Sequence, residues 1–287
     1  MALSPSKPAA PRLSHFALLE RRVRDLARSI EFYIGGLGFR RRGDVVALAG
    51  AAPGVLLGLG DERVALRPVP AGVDGATVFD GPDVRFQHAA VVTSDMPAAL
   101  RRLEDRAGPF AAITRGGPQR LPEASGGATA FKFRDPDGHP LELIEFAAGR
   151  MPVRWRDRGG EEPTLGIDHV ALGVAQASRS IAFYEALGFR VGGRQLNAGP
   201  EQARLDGLDE RSAGPGGVAV EVVALLPPGA PGVHVELLAY RRPAPVVAAA
   251  PDAAADALAD RLHWVGAPGH GAFEDPDGHR HRRESAP

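Results

Sequence analysis

The chain has 287 residues, 44% hydrophobic and 24% charged, with a formal net charge of −1. That size can bury one large core or two ordinary ones, and the balanced charge leaves no basic surplus to hold a phosphate backbone, so nucleic acid is not an expected partner. There is no cysteine, which removes disulfides, thiolate metal sites and a cysteine nucleophile, and no apolar run is long enough to span a bilayer.

Residues 1–12 are rich in Pro, Ala and Ser, lack the apolar run of a signal peptide, and read as a disordered leader of a cytoplasmic protein. A strand opens at His15 (His15-Phe16-Ala17-Leu18), followed by the word Ser29-Ile30-Glu31-Phe32-Tyr33-Ile34-Gly35-Gly36-Leu37-Gly38-Phe39-Arg40. Asp44 to Leu48, Gly54 to Gly58 and Arg63 to Val69 are apolar or alternating runs bounded by Gly, Pro and Asp, the pattern of strands. His88-Ala89-Ala90-Val91 repeats the opening strand, and Asp95 is placed to cap an amphipathic helix through Leu100, Leu103 and Ala107. The Gly- and Pro-rich segment 114–127 has the length of an active-site flap and carries Arg115 and Arg120 as candidate contacts to an anionic substrate.

The next stretch, Phe131-Lys132-Phe133-Arg134-Asp135-Pro136-Asp137-Gly138-His139-Pro140-Leu141-Glu142, contains a turn between two short strands: Pro136 presets φ and Gly138 tolerates positive φ. Strand alternation beyond the turn puts Glu142 on one face with Ile144 and Phe146, a carboxylate on a largely apolar surface that a metal ion could offset. Residues 147–165 are Arg- and Gly-rich and read as a linker. Beyond it the words recur as His169-Val170-Ala171-Leu172 and Ser180-Ile181-Ala182-Phe183-Tyr184-Glu185-Ala186-Leu187-Gly188-Phe189-Arg190, with strands expected at Gln202 to Leu205, Val218 to Leu225 and Val233 to Tyr240. A fourth unit is expected to open with a strand at Pro245-Val246-Val247-Ala248 and a helix from Ala253 to Leu262, and it closes on a second Asp275-Pro276-Asp277-Gly278 turn. A strand, a helix and three strands, repeated four times, is an α+β pattern.

The His-x-Ala-Leu strands, the Phe-Tyr…Leu-Gly-Phe helix ends and the Asp-Pro-Asp-Gly-His-x-x-Glu strand together resemble the vicinal oxygen chelate superfamily of glyoxalases, extradiol dioxygenases, fosfomycin-resistance transferases, methylmalonyl-CoA epimerase and bleomycin-binding proteins. The resemblance covers most of residues 13–283. It implies βαβββ modules paired into two cup-shaped sheets, with metal ligands from the first and last strands of each module. On that pattern residues 13–146 form an N-terminal pair offering His15, His88 and Glu142, with the non-coordinating Ala65 in the fourth position. Two imidazoles and a carboxylate form a facial set for one divalent ion, Fe(II) first, with Mn, Ni, Zn or Co as alternatives. The first module carries three extra residues, Glu20-Arg21-Arg22, before its helix; counting back from the helix puts Leu18 rather than His15 at the ligand position. Residues 166–287 form the second pair, expected to be degenerate because Pro245 and Arg282 replace His and Glu beside His169 and Glu236.

Lys132 stands where extradiol enzymes commonly carry a Tyr; the alternatives are that it anchors an anion, that it acts as an acid if burial lowers its pKa, or that it snorkels to solvent from an edge strand. The resulting expectation is a divalent-metal enzyme acting on a small oxygenated substrate. An extradiol-type dioxygenase using dioxygen comes first, a glyoxalase-like lyase, isomerase or transferase second, and a metal-free small-molecule binding protein third. A monomer or homodimer with no nucleic-acid or membrane partner completes the reading.

Overall fold

The alternating runs of the first module become β1 (Arg12–Val23), α1 (Leu26–Glu31), β2 (Arg40–Val45), β3 (Gly54–Leu59) and β4 (Glu62–Pro68). The computed structural model describes residues 12–45, 53–69, 78–158, 160, 162–211, 213–229, 231–248, 257–267 and 270–285, so most of the expected leader lies outside the described residues. The second module contains β5 (Gln87–Thr93), α2 (Met96–Arg106), the two-residue β6 (Ala111–Ala112) and β7 (Gln119–Arg120), β8 (Thr129–Arg134) and β9 (Pro140–Glu145). A short α3 (Val153–Arg156) interrupts the linker. The third module runs β10 (Thr164–Gly173), α4 (Ala177–Ala186), β11 (Arg190–Ala198), α5 (Pro200–Leu205), β12 (Ala219–Leu226) and β13 (His234–Arg242), and the fourth β14 (Arg261–Ala267), β15 (Gly271–Glu274) and β16 (Arg280–Glu284). Asp25 and Asp95 cap α1 and α2, accepting from the backbone N–H of Arg28 at 3.0 Å and Ala98 at 2.8 Å.

The architecture is the expected α+β, glyoxalase-like one, but two local expectations fail. Gln202 to Leu205 lies inside α5, where Pro200 occupies the first turn and starts a helix. In the fourth module Val246 makes only an isolated bridge to Asp83, and the opening strand is β14 instead. Residues 253–256 of the expected helix lie outside the described residues and Ala257 and Leu258 are helical as expected, but the helix ends before Arg261 and Leu262, which are already strand.

The modules also pair differently from the order of the chain. One seven-stranded sheet runs β15-β16-β14-β1-β4-β3-β2, and a nine-stranded sheet runs β11-β12-β13-β10-β5-β9-β8-β6 with β7 on β8. The first module therefore shares a sheet with the fourth, and the second with the third; the division into a 13–146 pair and a 166–287 pair does not match the sheets. Within each module the first strand runs parallel to the last, which leaves one free edge, and local sequence does not say which other module takes it.

What holds consecutive modules together is a contact between the repeated words. Tyr33 and Ser29 of the first module donate to Asp135 (2.9 Å) and Asp137 (3.0 Å) of the second module's turn. Tyr184 and Ser180 of the third donate in the same way to Asp275 and Asp277 of the fourth, each at 3.1 Å. The turns themselves are alike: Asp135 and Asp275 each accept from the backbone N–H two and four residues on, and Gly138 and Gly278 take φ of 94° and 91°. Modules joined in sequence are thus held face to face across two sheets. One buried apolar cluster, with Leu19, Phe32, Phe133, Leu143, Ile167, Leu225 and Trp264 among its members, draws on all four modules. Among the described residues no helix is long and apolar enough to cross a membrane.

His281 is fully buried in this framework, accepting from Trp264 Nε1 at 3.0 Å and lying 3.1 Å from the Tyr184 hydroxyl. Burial brings its pKa down to about 4, against the smaller opposing effect of Asp275. The folded-state pKa lies below the unfolded value, so the unfolded chain takes up the proton first, and stability is lost as pH falls from about 6.5 towards 4. Urea denaturation should show on the order of 2 kcal/mol of this loss between pH 7 and pH 5. His281→Phe should be less stable at pH 7, because Trp264 loses its acceptor, yet show a flatter pH dependence over the same interval.

Candidate functional site

The antiparallel register of β5 with β10 sets His88 opposite Ala171 and His169 opposite Ala90. The parallel last strands then place Glu142 beside Ala90 and Glu236 beside Ala171. Alternation sends all four polar side chains into one cup, and the two alanines between them, both fully buried, take up little of its floor. One ligand-type atom each from His88, Glu142 and His169 lies within 4.8 Å of the others. His88 Nε2 is 2.7 Å from Glu142 Oε2, and His169 Nε2 is 3.8 Å from the same oxygen and 3.5 Å from Glu236 Oε2.

Neither nitrogen of His88, nor Nε2 of His169, finds a hydrogen-bonding geometry, although all are buried. Such orphaned groups are costly unless something fills the space between them. Burial pushes the His88 pKa down, with the Lys132 charge acting in the same direction. Burial also opposes a charge on His169, but Glu236, Asp168 and Glu142 outweigh it and raise its pKa well above the ordinary range. Glu142 is held well below the usual carboxylate range, because His169, His88 and Lys132 overcome its burial. Two imidazoles and a carboxylate whose ligand-type atoms converge within 4.8 Å are a donor set that fits a divalent cation, which would displace the proton that the carboxylates favour on His169.

A ring of supporting contacts orients this set. A register shift between Ile167 and His169 lets consecutive residues Asp168 and His169 both approach the cup. The pair lies 3.1 Å apart (Asp168 Oδ2 to His169 Nδ1), which leaves Nε2 directed at the carboxylates. Asp168 is in turn held by Arg154 Nη2 at 2.7 Å and by the Trp155 indole at 3.1 Å, so α3 of the linker supports the site. The cup opens into a cavity of about 640 Å³ walled by Ile144, Leu205, Val222 and Leu238, with Lys132, Arg154, Arg190 and Gln195 among its polar lining.

The family model of the Glyoxalase/Bleomycin resistance protein/Dioxygenase superfamily matches residues 12–143, which in this structure are the first two modules, one in each sheet. Glyoxalase I from Zea mays aligns with a TM-score of 0.61 at 17% identity, over 96% of this chain and 92% of that one. A Bacillus subtilis protein provisionally described as a dioxygenase aligns with a TM-score of 0.57 at 16% identity, over 97% and 87%. At such identities the likeness is one of fold. No curated protein matches in sequence.

Of the residues singled out in the sequence, His88 and Glu142 meet, but their neighbours are His169 and Glu236, which the sequence order assigns to a separate, degenerate cup. His15 is exposed on β1, opposite Val265 in the other sheet, with Nδ1 3.1 Å from Ser14 Oγ. Leu18, opposite His263 as His88 is opposite Ala171, occupies the ligand-equivalent position, and Glu20-Arg21-Arg22 simply lengthen β1. Arg115 and Arg120 are exposed and outside the cavity; segment 114–127 contributes Leu121 and Ser125 to the wall instead. Arg154 was concealed in a linker without periodicity, where the only sign was a Trp flanked by two Arg.

Lys132 does line the cavity, as the ladder partner of Glu142, but its ammonium is not free. It donates to Asp206 Oδ1 at 2.7 Å, and Asp206 Oδ2 accepts from Gln202 at 2.6 Å and Tyr240 at 2.5 Å. Burial opposes the Lys132 charge, but Asp206 and Glu142 outweigh it and raise the pKa, so the expected low-pKa acid is not what this environment makes. Breaking this buried pair by Lys132→Met should cost about 3–5 kcal/mol, the range for an uncompensated buried charge. The double variant Lys132→Met, Asp206→Leu should recover a large part of that loss in urea denaturation, whereas equal destabilisation of both proteins would show that the pair is not the cause.

Proposed function

We propose that this protein belongs to the Glyoxalase/Bleomycin resistance protein/Dioxygenase superfamily and is an enzyme that uses one divalent metal ion on His88, Glu142 and His169 to shift a proton beside a carbonyl of a small anionic substrate. The observation that carries this reading is the second carboxylate: Glu236 lies 3.5 Å from His169 Nε2, on the opposite module from Glu142 and outside the close three-residue group. A metal ion bound there would polarise a substrate oxygen as a Lewis acid.

The rest of the chemistry belongs to the chain. Glu236 is placed to accept a proton from a carbon held over the cup, and His234 Nε2, 3.7 Å from its other oxygen, is placed to receive that proton or return it. Arg154 has a buried Nη1 with no acceptor and lines the cavity, a position from which it would bind a carboxylate or phosphate of the substrate. Asp168 holds the His169 ring in place, and the apolar wall of Leu205, Val222 and Leu238 keeps water from the reacting carbon. A dioxygenase is the second reading, favoured by one observation: His88, His169 and Glu142 together make the two-histidine, one-carboxylate set that suits Fe(II) and dioxygen.

Elemental analysis of protein prepared without chelators should find one divalent ion per chain. His169→Ala and Glu142→Gln should each lower that content to near zero while His15→Ala leaves it unchanged; unaltered content in the first two variants would overturn the ligand assignment. Glu236→Gln should keep most of the metal but slow exchange of the substrate's α-proton with deuterated solvent by about 10²–10⁴-fold, the usual worth of a general base. Oxygen uptake with catechols, in the absence of such exchange, would select the dioxygenase instead.

A further inference from the structure

The same geometry occurs a second time with different chemistry. In the sheet formed by β1 and β14, Leu18 faces His263 and Glu20 faces Arg261, while Ala65 lies beside Glu20 and Arg282 beside His263. Compared register by register with the first cup, Leu18, Ala65, Arg261 and Arg282 therefore stand where His88, Glu142, His169 and Glu236 do. None of these can bind a metal, since a guanidinium has no lone pair to give.

This second cup is nevertheless hollow. A cavity of about 250 Å³ is lined by Glu20, Ala65, Arg67, His263, Arg282 and Glu284. Four guanidiniums gather in and around it against two carboxylates. Glu20 alone serves three of them, accepting from Arg22 Nε at 3.0 Å, Arg67 Nε at 3.0 Å and Arg261 Nη1 at 3.1 Å. Glu284 is engaged by His263 Nδ1 at 2.7 Å. Burial works against the Glu20 charge, but His263, Arg22 and Arg67 bring its pKa down to about 2, so it stays ionised and continues to hold the cluster.

Two guanidiniums keep unused donors in the same space. Arg67 is 5% exposed, and its Nη1 is buried with no hydrogen-bond acceptor, an arrangement that is unfavourable without a partner. Arg282 lines the cavity, and its guanidinium makes no hydrogen bond or ion pair among the described residues. Four arginines against Glu20 and Glu284 leave the cluster with more guanidiniums than carboxylates.

We propose that the β1·β14 cup is a metal-free binding site for a small oxyanion, a carboxylate or phosphate group held by Arg67 Nη1 and the Arg282 guanidinium. Planar guanidinium forks match the geometry of both groups. The site does not depend on the metal reading of the β5·β10 cup, so each can fail without the other.

Isothermal titration of the full chain with inorganic phosphate, and separately with malonate, tests this. Saturable binding is expected, and the tighter of the two probes identifies a phosphate-bearing or a carboxylate-bearing ligand. Arg282→Met should weaken binding about tenfold or more, as loss of a charge-assisted hydrogen bond does. Arg67→Met should do the same, but it also removes a partner of Glu20, so the Arg282 variant, which removes no side-chain hydrogen bond or ion pair among the described residues, decides the question if the other fails to fold. Glu142→Gln should leave anion binding unchanged. Absence of saturable binding to the wild type, unchanged affinity in Arg282→Met, or loss of binding in Glu142→Gln would each overturn the proposal, the last by placing the anion in the other cup.

Discussion

The antiparallel register between β5 and β10 is the constraint on which the site depends. With His88 opposite Ala171 and His169 opposite Ala90, the two imidazoles come from different modules yet face the same point. A slip of one residue between the two strands would turn one of the two rings to the other side of the sheet. Parallel pairing to β9 and β13 then adds Glu142 and Glu236 at matching depth. Alanine is as important here as the ligand-type residues, because a larger side chain at 90 or 171 would fill the floor of the cup.

That register is held from outside the cup. The Ser and Tyr of each Phe-Tyr word reach into the Asp-Pro-Asp-Gly turn of the next module, and Arg21, fully buried, joins Tyr33 at 2.6 Å and Asp260 at 2.7 Å across more than two hundred residues of chain. Buried charges of this kind contribute less to net stability than to choosing one arrangement of otherwise similar modules. The repeated words are therefore docking elements, and their conspicuous polar residues serve the assembly rather than the chemistry.

Four copies of one module give two cups of the same geometry, and what separates them is a handful of side chains on the same lattice. Where one cup has two His and two Glu, the other has Leu18, Ala65, Arg261 and Arg282. The first brings imidazole and carboxylate ligand atoms to one point, the second guanidinium N–H donors, of which Arg67 Nη1 has no acceptor. A fold that aims four strand positions at one volume thus presents opposite electrostatic problems in its two halves, one suited to a cation and one to an anion.

Local sequence was enough to establish the repeats, the turns around Gly138 and Gly278, the Asp95 cap and the α+β class, because alternation, capping and turn chemistry act over a few residues. It also marked His88, Glu142, His169 and Glu236 as residues able to bind metal on first and last strands. It did not reveal that these four belong together, nor that His15 stands apart on β1. Each first strand has its own module on one edge and a free second edge, and the choice among the remaining modules is made by contacts such as Tyr33 with Asp135, which join residues far apart in the chain. The Lys132–Asp206 pair was hidden for the same reason: its two members lie in different modules, and α5, which carries Gln202 to the same carboxylate, has a pattern that also reads as a strand. Residue type and period are properties of a local stretch of chain, whereas the partner of a strand edge, and hence the content of each cup, is decided only when the modules dock.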